Sequence, residues 1–269
     1  MTKARRIAAI ALLLLTGASL FAGWIARHPY QKQYREAIAS PPAAGFPLGT
    51  DELGRDRFSR LLHGMRISLL LAPAAALLST TLAALLGLTA GFLGGWWDRA
   101  VTGATDLFLS LPWFFLIITV RALLPLNVAP ETSVLITFGL LGLLGWASPA
   151  RVIRSAVRSL ERSDFLLRAR AAGSSNPRLL FIHLLPNLAP VLMAQFWIAV
   201  PLFLLSEADL GLLGLGVVEP LPSLGNLLRE LANFSAVAGN PWMLAPAAAV
   251  MTFVGGLHFL LAPRSGAGT

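Results

Sequence analysis

Side chains able to do chemistry are few in this sequence, and the missing kinds narrow the possibilities. There is no cysteine, which removes disulfides, thiolate metal ligands and cysteine nucleophiles. The four histidines, His28, His63, His183 and His258, stand far apart without metal-ligand spacing, so no metal site is expected. No Gly-x-Ser-x-Gly with a partner histidine lies in an apolar run, and no glycine-rich loop ends in Gly-Lys-Ser/Thr. The expectation is therefore a chain with no catalytic residue, no bound cofactor and no nucleotide site of its own. What remains is one strongly basic stretch over residues 151–183 and a handful of polar groups at or inside apolar runs: Asp106, Gln195, Glu207 and Asp209.

Composition supplies the setting for those groups. Hydrophobic residues make up 56% of the chain and charged residues only 13%, against about 25% charged in an ordinary soluble domain. So few charges cannot cover so much apolar surface in water, whereas a bilayer solvates it. The net charge is +8 and the sequence pI is about 11.3. The basic residues lie between long apolar runs instead of forming a stripe, which fits membrane topology and argues against nucleic acid.

A spanning helix needs about 20 mainly apolar residues. Ile7–Ile25 meets this and is longer than a signal-peptide core, so it is expected to be a retained first span. Further spans are expected at Ile67–Trp97, Leu107–Leu126 (interrupted by Pro112 and Arg121), Thr132–Ala150, Leu184–Ser206 (with Pro186, Pro190 and Pro201) and Leu244–Ala262. The predicted fold is all-α, a polytopic membrane protein with about six transmembrane helices and both ends inside. The 151–183 stretch carries Arg151, Arg154, Arg158, Arg162, Arg168, Arg170 and Arg178, and the positive-inside bias places it in the cytoplasm. Counting back puts residues 28–65 outside, against the bias exerted there by Arg55, Arg57, Arg60 and Arg66. Asp51, Glu52 and Asp56 partly balance them.

Within the basic stretch, Ala- and Arg-rich residues up to Ala172 predict a short helix, and Gly173 marks its stop. Asn176-Pro177 then restarts a helix, with Asn as cap and Pro at the first helical position. Helix, glycine turn, helix forms an elbow that a partner's groove can grip; the alternative is an ordinary basic loop that only sets orientation. Polar groups inside membrane segments are costly and therefore candidates for function, so Asp106, Gln195, Glu207 and Asp209 are candidate pathway or gate residues. Against that, Asp106 fits a simple interfacial position, Gln195 fits a bond to a neighbouring helix, and a solvated or structural role is preferred for Glu207 and Asp209. Arg121 is expected to snorkel to the outer surface.

The loop resembles the cytoplasmic coupling loop of ABC importer permeases, on which Ala169, Gly173, Leu185, Pro186 and Asn187 fall. The segment Gly49-Thr50-Asp51-Glu52-Leu53-Gly54-Arg55-Asp56 followed by Ser59 to Leu69 is similar to the same region of dipeptide/oligopeptide/nickel-type permeases. So are Gly91-Phe92-Leu93-Gly94-Gly95-Trp96 with Asp98, Asp106 with Pro112, Ser206-Glu207-Ala208, and Leu213 to Val217 with Pro222-Ser223-Leu224-Gly225-Asn226. The likeness covers about residues 45–262. It departs at Leu167, where the family's loop has glutamate, at Arg168, usually alanine, at Leu224, and in the short tail after Pro263.

The resemblance implies a type I ABC importer permease in the inner (plasma) membrane. With the spans read above, the chain is expected to comprise an N-terminal transmembrane helix over 1–27, an extracytoplasmic loop over 28–65, and a core permease domain over 66–263 with five spans and the coupling loop at 151–187. Asp164, Leu167, Arg168, Ala169, Arg170, Ala171, Ala172, Gly173, Pro186 and Asn187 would meet the ATPase. Implied partners are a homologous second permease, two ATP-binding cassette subunits that use the ATP, an extracytoplasmic substrate-binding protein and membrane lipid, with no nucleic acid. Short peptides are the first expected cargo. Nickel or a metal chelate is the alternative, and an ion-coupled secondary transporter is the rival of another class.

Overall fold

The computed structural model describes residues 3–262, and among these there is no strand, only isolated bridges such as Gln33–Arg55. The helices are α1 (Lys3–Leu20), α2 (Ala22–Ile25), α3 (Arg57–Leu93), α4 (Gly95–Ser110), α5 (Trp113–Leu123), α6 (Pro130–Leu144), α7 (Ala147–Glu161), α8 (Asp164–Ala171), α9 (Asn176–Arg178), α10 (Leu185–Leu212), α11 (Leu224–Arg229), α12 (Phe234–Gly239) and α13 (Ala245–Leu261). A single π turn over Leu179–Leu184 joins α9 to α10.

Four helical stretches are long and apolar enough to cross a membrane: Arg57–Leu93, Pro130–Glu161, Asn176–Leu212 and Pro241–Leu261. The pair α4 and α5 passes that test only together and is bent by 89°. The expected third span, Leu107–Leu126 interrupted by Pro112, is thus broken at that proline, and its first part begins earlier, at Gly95. The cause of the break is local: Leu111 precedes proline and adopts φ −92° and ψ 131°, since the proline ring excludes the helical region for its predecessor. The first helix stops at Leu20 and resumes for one turn as Ala22–Ile25, so the run expected to Ile25 is helical apart from a break at Phe21.

The α3 helix begins ten residues ahead of its expected start, inside the segment read as a loop. Asp56 caps it, accepting from the backbone N–H groups of Phe58 at 3.1 Å and Ser59 at 3.3 Å. Leu61, Leu62 and Met65 are buried, which anchors the extra turns. At about 1.5 Å per residue α3 is about 55 Å long. The basic stretch is likewise not all loop, because its first eleven residues form the amphipathic end of α7, with Ile153 and Val157 fully buried.

The chain divides into two compact units. One comprises Met1–Leu71, Pro125–Thr137 and Leu204–Thr269. In it α1 packs along α13, and the Arg5 guanidinium donates to the Ala262 carbonyl at 2.5 Å. The other comprises Ala72–Leu124 and Phe138–Phe203. Its core holds Ala83, Leu88, Ala150, Ile153, Val157, Leu166, Leu179, Leu184 and Leu188. Here α3 meets α7 through glycine: a Cβ on Gly87 would lie 2.6 Å from the Ala150 carbonyl oxygen, and one on Gly91 would lie 2.7 Å from Val157. Small residues at a crossing let helix backbones approach, which in lipid is a main source of association.

Gly91→Leu is therefore expected to cost about 1–3 kcal/mol by overpacking and to lower the melting temperature of the protein in detergent. Gly103→Ala, where an added Cβ meets nothing within 4 Å, should leave that temperature unchanged or raise it slightly. Equal melting of the two variants would contradict the packing described.

Candidate functional site

The basic stretch folds into the elbow expected from its residues. Asp164 sits in the first turn of α8 and Arg168 and Arg170 in the last, a charge order that suits the helix dipole. Gly173 follows at φ +80°, a left-handed conformation that stops the helix at low cost only for glycine. The chain restarts as α9 with Ser175 as cap, one residue before the expected Asn176, and Pro177 in the first turn. One residue, Leu166, anchors α8 in the core. Leu167, Arg168, Ala171, Ala172, Gly173, Pro186 and Asn187 are exposed and Ala169 is half-buried. Arg170 reaches Glu161 at 3.5 Å and lies 6.0 Å above the Phe92 ring. Asn187 donates to the His183 carbonyl at 2.7 Å. Beyond Leu166 and Ala169, which packs against the same core, the elbow presents an exposed apolar and basic surface.

Behind the elbow, α4 lies along α7. Asp98 accepts two bonds from Arg154, one of them at 2.8 Å, and one from Arg158 at 2.8 Å. Asp106, a candidate pathway residue, is instead paired with Arg151, and both side chains are exposed. In sequence Asp98 stands out only as part of the permease-like segment after Trp96, and its spacing to Asp106 along one helix is the further signal.

Gln195 lines a cavity of about 310 Å³ together with Pro112, Trp113, Gly145, Ser148 and Phe203. The walls come from the α4–α5 break, the α6–α7 junction and α10, and non-helical backbone at membrane depth is tolerated only where it is buried or lines such a space. Trp113 stacks on Phe203 at 6.0 Å between ring centroids. Arg121 does not snorkel: it is fully buried, a correction that follows from its place on the short helix α5 after the break.

Glu207 and Asp209 lie in the other unit. Glu207 is fully buried, so the solvated reading fails for it, while Asp209 is half-buried. The Glu207 carboxylate accepts from the Ser68 hydroxyl at 3.0 Å and the Gly225 N–H at 3.2 Å, and Ser68 in turn accepts from the Leu224 N–H at 3.1 Å. A Cβ on Gly225 would stand 2.6 Å from the Glu207 carbonyl oxygen and one on Gly211 2.4 Å from Gly225, so the glycines permit the carboxylate to sit there.

Three of the four arginines that weigh against an outside placement of residues 28–65 are held in ion pairs. Arg55 bonds Asp51 and Glu219, each at 2.7 Å, Arg60 bonds Glu219 at 2.7 Å, and Arg57 bonds Glu230. Burial alone would lower the Arg55 pKa, but Asp51 and Glu219 hold it above the ordinary arginine value. Burial pushes the Glu230 carboxyl up, against the pull of Arg57. The pairs border an open cleft of about 540 Å³ that Asn226, Arg229 and Met243 also line.

This helical organisation, with a broken membrane-depth helix beside an exposed elbow, is that of a transport permease. The chain belongs to the family described as binding-protein-dependent transport system inner membrane component, which matches residues 83–264. Among similar proteins is the di/tripeptide transport system permease protein DppC of Pseudomonas aeruginosa, 34% identical over 83% of this chain and 74% of the relative. The oligopeptide transport system permease protein OppC of Mycobacterium bovis is 30% identical over 92% of this chain and 84% of its own length. The dipeptide transport system permease protein DppC of Haemophilus influenzae is 32% identical over the same shares, 92% and 84%. The chain is thus a multi-pass membrane component of an ABC importer and not itself an enzyme.

Glu207→Ala is expected to leave the Gly225 N–H and the Ser68 hydroxyl short of a partner. That costs about 1–3 kcal/mol per group, read as a lower melting temperature in detergent, whereas Glu207→Gln retains an acceptor and should lose less. Wild-type melting of the alanine variant would show that the buried carboxylate contributes nothing to stability.

Proposed function

We propose that this chain is one of two homologous permease subunits of an ATP-driven importer for short peptides, and that α8 with Gly173 is the helix that engages an ATPase. The observation that carries the reading is the exposed elbow: a helix held by Leu166 and the half-buried Ala169, whose outer face of Leu167, Arg168, Ala171 and Ala172 is exposed. Relatives named for di/tripeptides, dipeptides and oligopeptides support the cargo class. The chain lacks a phosphate-binding glycine loop, so two separate cassette subunits bind and hydrolyse the ATP, and this chain carries no cofactor. An extracytoplasmic binding protein delivers the peptide.

In this reading residues 151–183 face the cytoplasm and 28–65 the outside of the inner membrane, where the cleft beside Glu219 and Arg229 is open to the binding protein. Closure of the ATPase pair moves α8, and the cavity around Gln195 forms part of the path. The departure at Leu167 replaces the family's charged contact by an apolar one, with Arg168 supplying charge next to it.

Purification from the native host in mild detergent should bring down a second permease, cassette subunits and a binding protein. In membrane vesicles carrying that assembly, Leu167→Asp should reduce ATP-dependent uptake of labelled dialanine by about ten-fold or more, equivalent to about 1.4 kcal/mol of lost coupling, without loss of the assembled complex. Unchanged uptake by that variant, or a chain that purifies without partners, would overturn the reading.

A further inference from the structure

Two acids on one side of α4 meet three arginines on one side of α7. The buried residues of α4 are Asp98, Val101 and Thr105, spaced three and four apart, so a single stripe of the helix faces α7. Arg151, Arg154 and Arg158 repeat the same spacing on α7. The two ends of this contact differ in kind. At the first, the Asp98 side chain is 12% exposed and binds Arg154 and Arg158 together, with Arg154 engaged through Nε and Nη2. A partly desolvated carboxylate with several charge-assisted bonds is a strong tie. At the second, Asp106 and Arg151 share one bond, with side chains 61% and 49% exposed, and an exposed pair of this kind adds little at equilibrium.

Backbone breaks bracket α4. Gly94 precedes it and Gly95 opens it, at φ +65° and +61°, and a Cβ on Gly95 would meet nothing within 4 Å, so the joint is uncrowded. Leu111 and Pro112 follow it, and beyond them α5 departs at 89°. The weak end of the contact is the end next to this break. Trp113, the residue after it, stacks on Phe203 and lines the cavity with Gln195. On the other helix, α7 leads through Arg162 and Ser163 directly into α8.

We infer that α4 is a lever, with Asp98 as its pivot and the Asp106–Arg151 pair as a releasable latch at its free end, carrying displacement of α7 to Pro112 and Trp113 at the cavity wall. The inference rests on the proposed coupling role of α8. Asp106 and Arg151 are positioning residues: they set where Trp113 stands and touch no cargo. The strong tie keeps α4 and α7 together through a cycle, and the weak one opens and closes within it.

The test uses the complete importer in vesicles, reading dialanine uptake and ATP hydrolysis side by side. Asp106→Arg is expected to lower uptake by about five-fold or more while ATP hydrolysis falls by less than about two-fold. Combining it with Arg151→Asp should restore the ratio of peptide moved to ATP hydrolysed, a rescue that a merely structural role in assembly would not produce. Because the chain has no cysteine, a double variant Asp106→Cys with Arg151→Cys can be bridged by a reducible bis-thiol cross-linker. Uptake should stop while the bridge is intact and return on reduction. Wild-type coupling in Asp106→Arg, or continued uptake with the bridge intact, would overturn the lever. Leu167→Asp run in parallel separates the two readings: if it abolishes uptake while the latch variants do nothing, the coupling role of α8 stands and the lever falls. If neither affects uptake, both fall.

Discussion

Ion pairs and charge-assisted bonds between distant segments give this apolar chain its registers. In lipid, an apolar helix face gains little by exchanging acyl chains for another helix, so packing of small residues and polar contacts decide which faces meet. The few charges are used accordingly. Asp98 joins α4 to α7, Glu219 collects Arg55 and Arg60 from more than a hundred and fifty residues away, and Glu207 draws Ser68 and Gly225 to one point. Each removal would leave a partly desolvated partner, which costs more than the pair itself contributes. Glycines stand next to several of these ties. Gly91 lets α3 approach α7 near Arg154 and Arg158, and Gly225 leaves room for the Glu207 carboxylate.

Much of the fold was legible because its signals are local. The apolar runs give the long helices, Gly173 gives the stop of α8, and Pro177 gives the restart. What was not legible depends on partners far along the chain. Nothing around Asp98 announces Arg154 and Arg158, 56 and 60 residues later. Glu207 looks solvated beside Asp209 because the Ser68 and Gly225 that bury it belong to other segments. The arginines of residues 55–60 look like a violation of the positive-inside bias until Glu219 and Glu230 are brought to them.

The candidate site divides the same way. The elbow could be found from composition and one glycine, and its exposure follows from having a single buried anchor. The cavity around Gln195 could not, since it exists only because Pro112 turns a would-be span through 89°, leaving Trp113 against Phe203. A proline within an apolar run signals a break, but the bend angle and the space it opens are set by the helices that close around it.

The helix lengths carry a consequence for the bilayer itself. The α3 rod, at about 55 Å, outruns a hydrocarbon core of about 30 Å by nearly half its length, so thickening or thinning the membrane merely slides the boundary along it. By contrast, α1, about 27 Å long, and the 21-residue stretch Pro241–Leu261 that ends in α13, about 31 Å long, match that core with no length to spare. A host that lengthens its acyl chains would leave α3 long enough to span and oblige the bilayer to thin around the α1–α13 pair, making lipid thickness a variable to which one part of this permease responds and another does not.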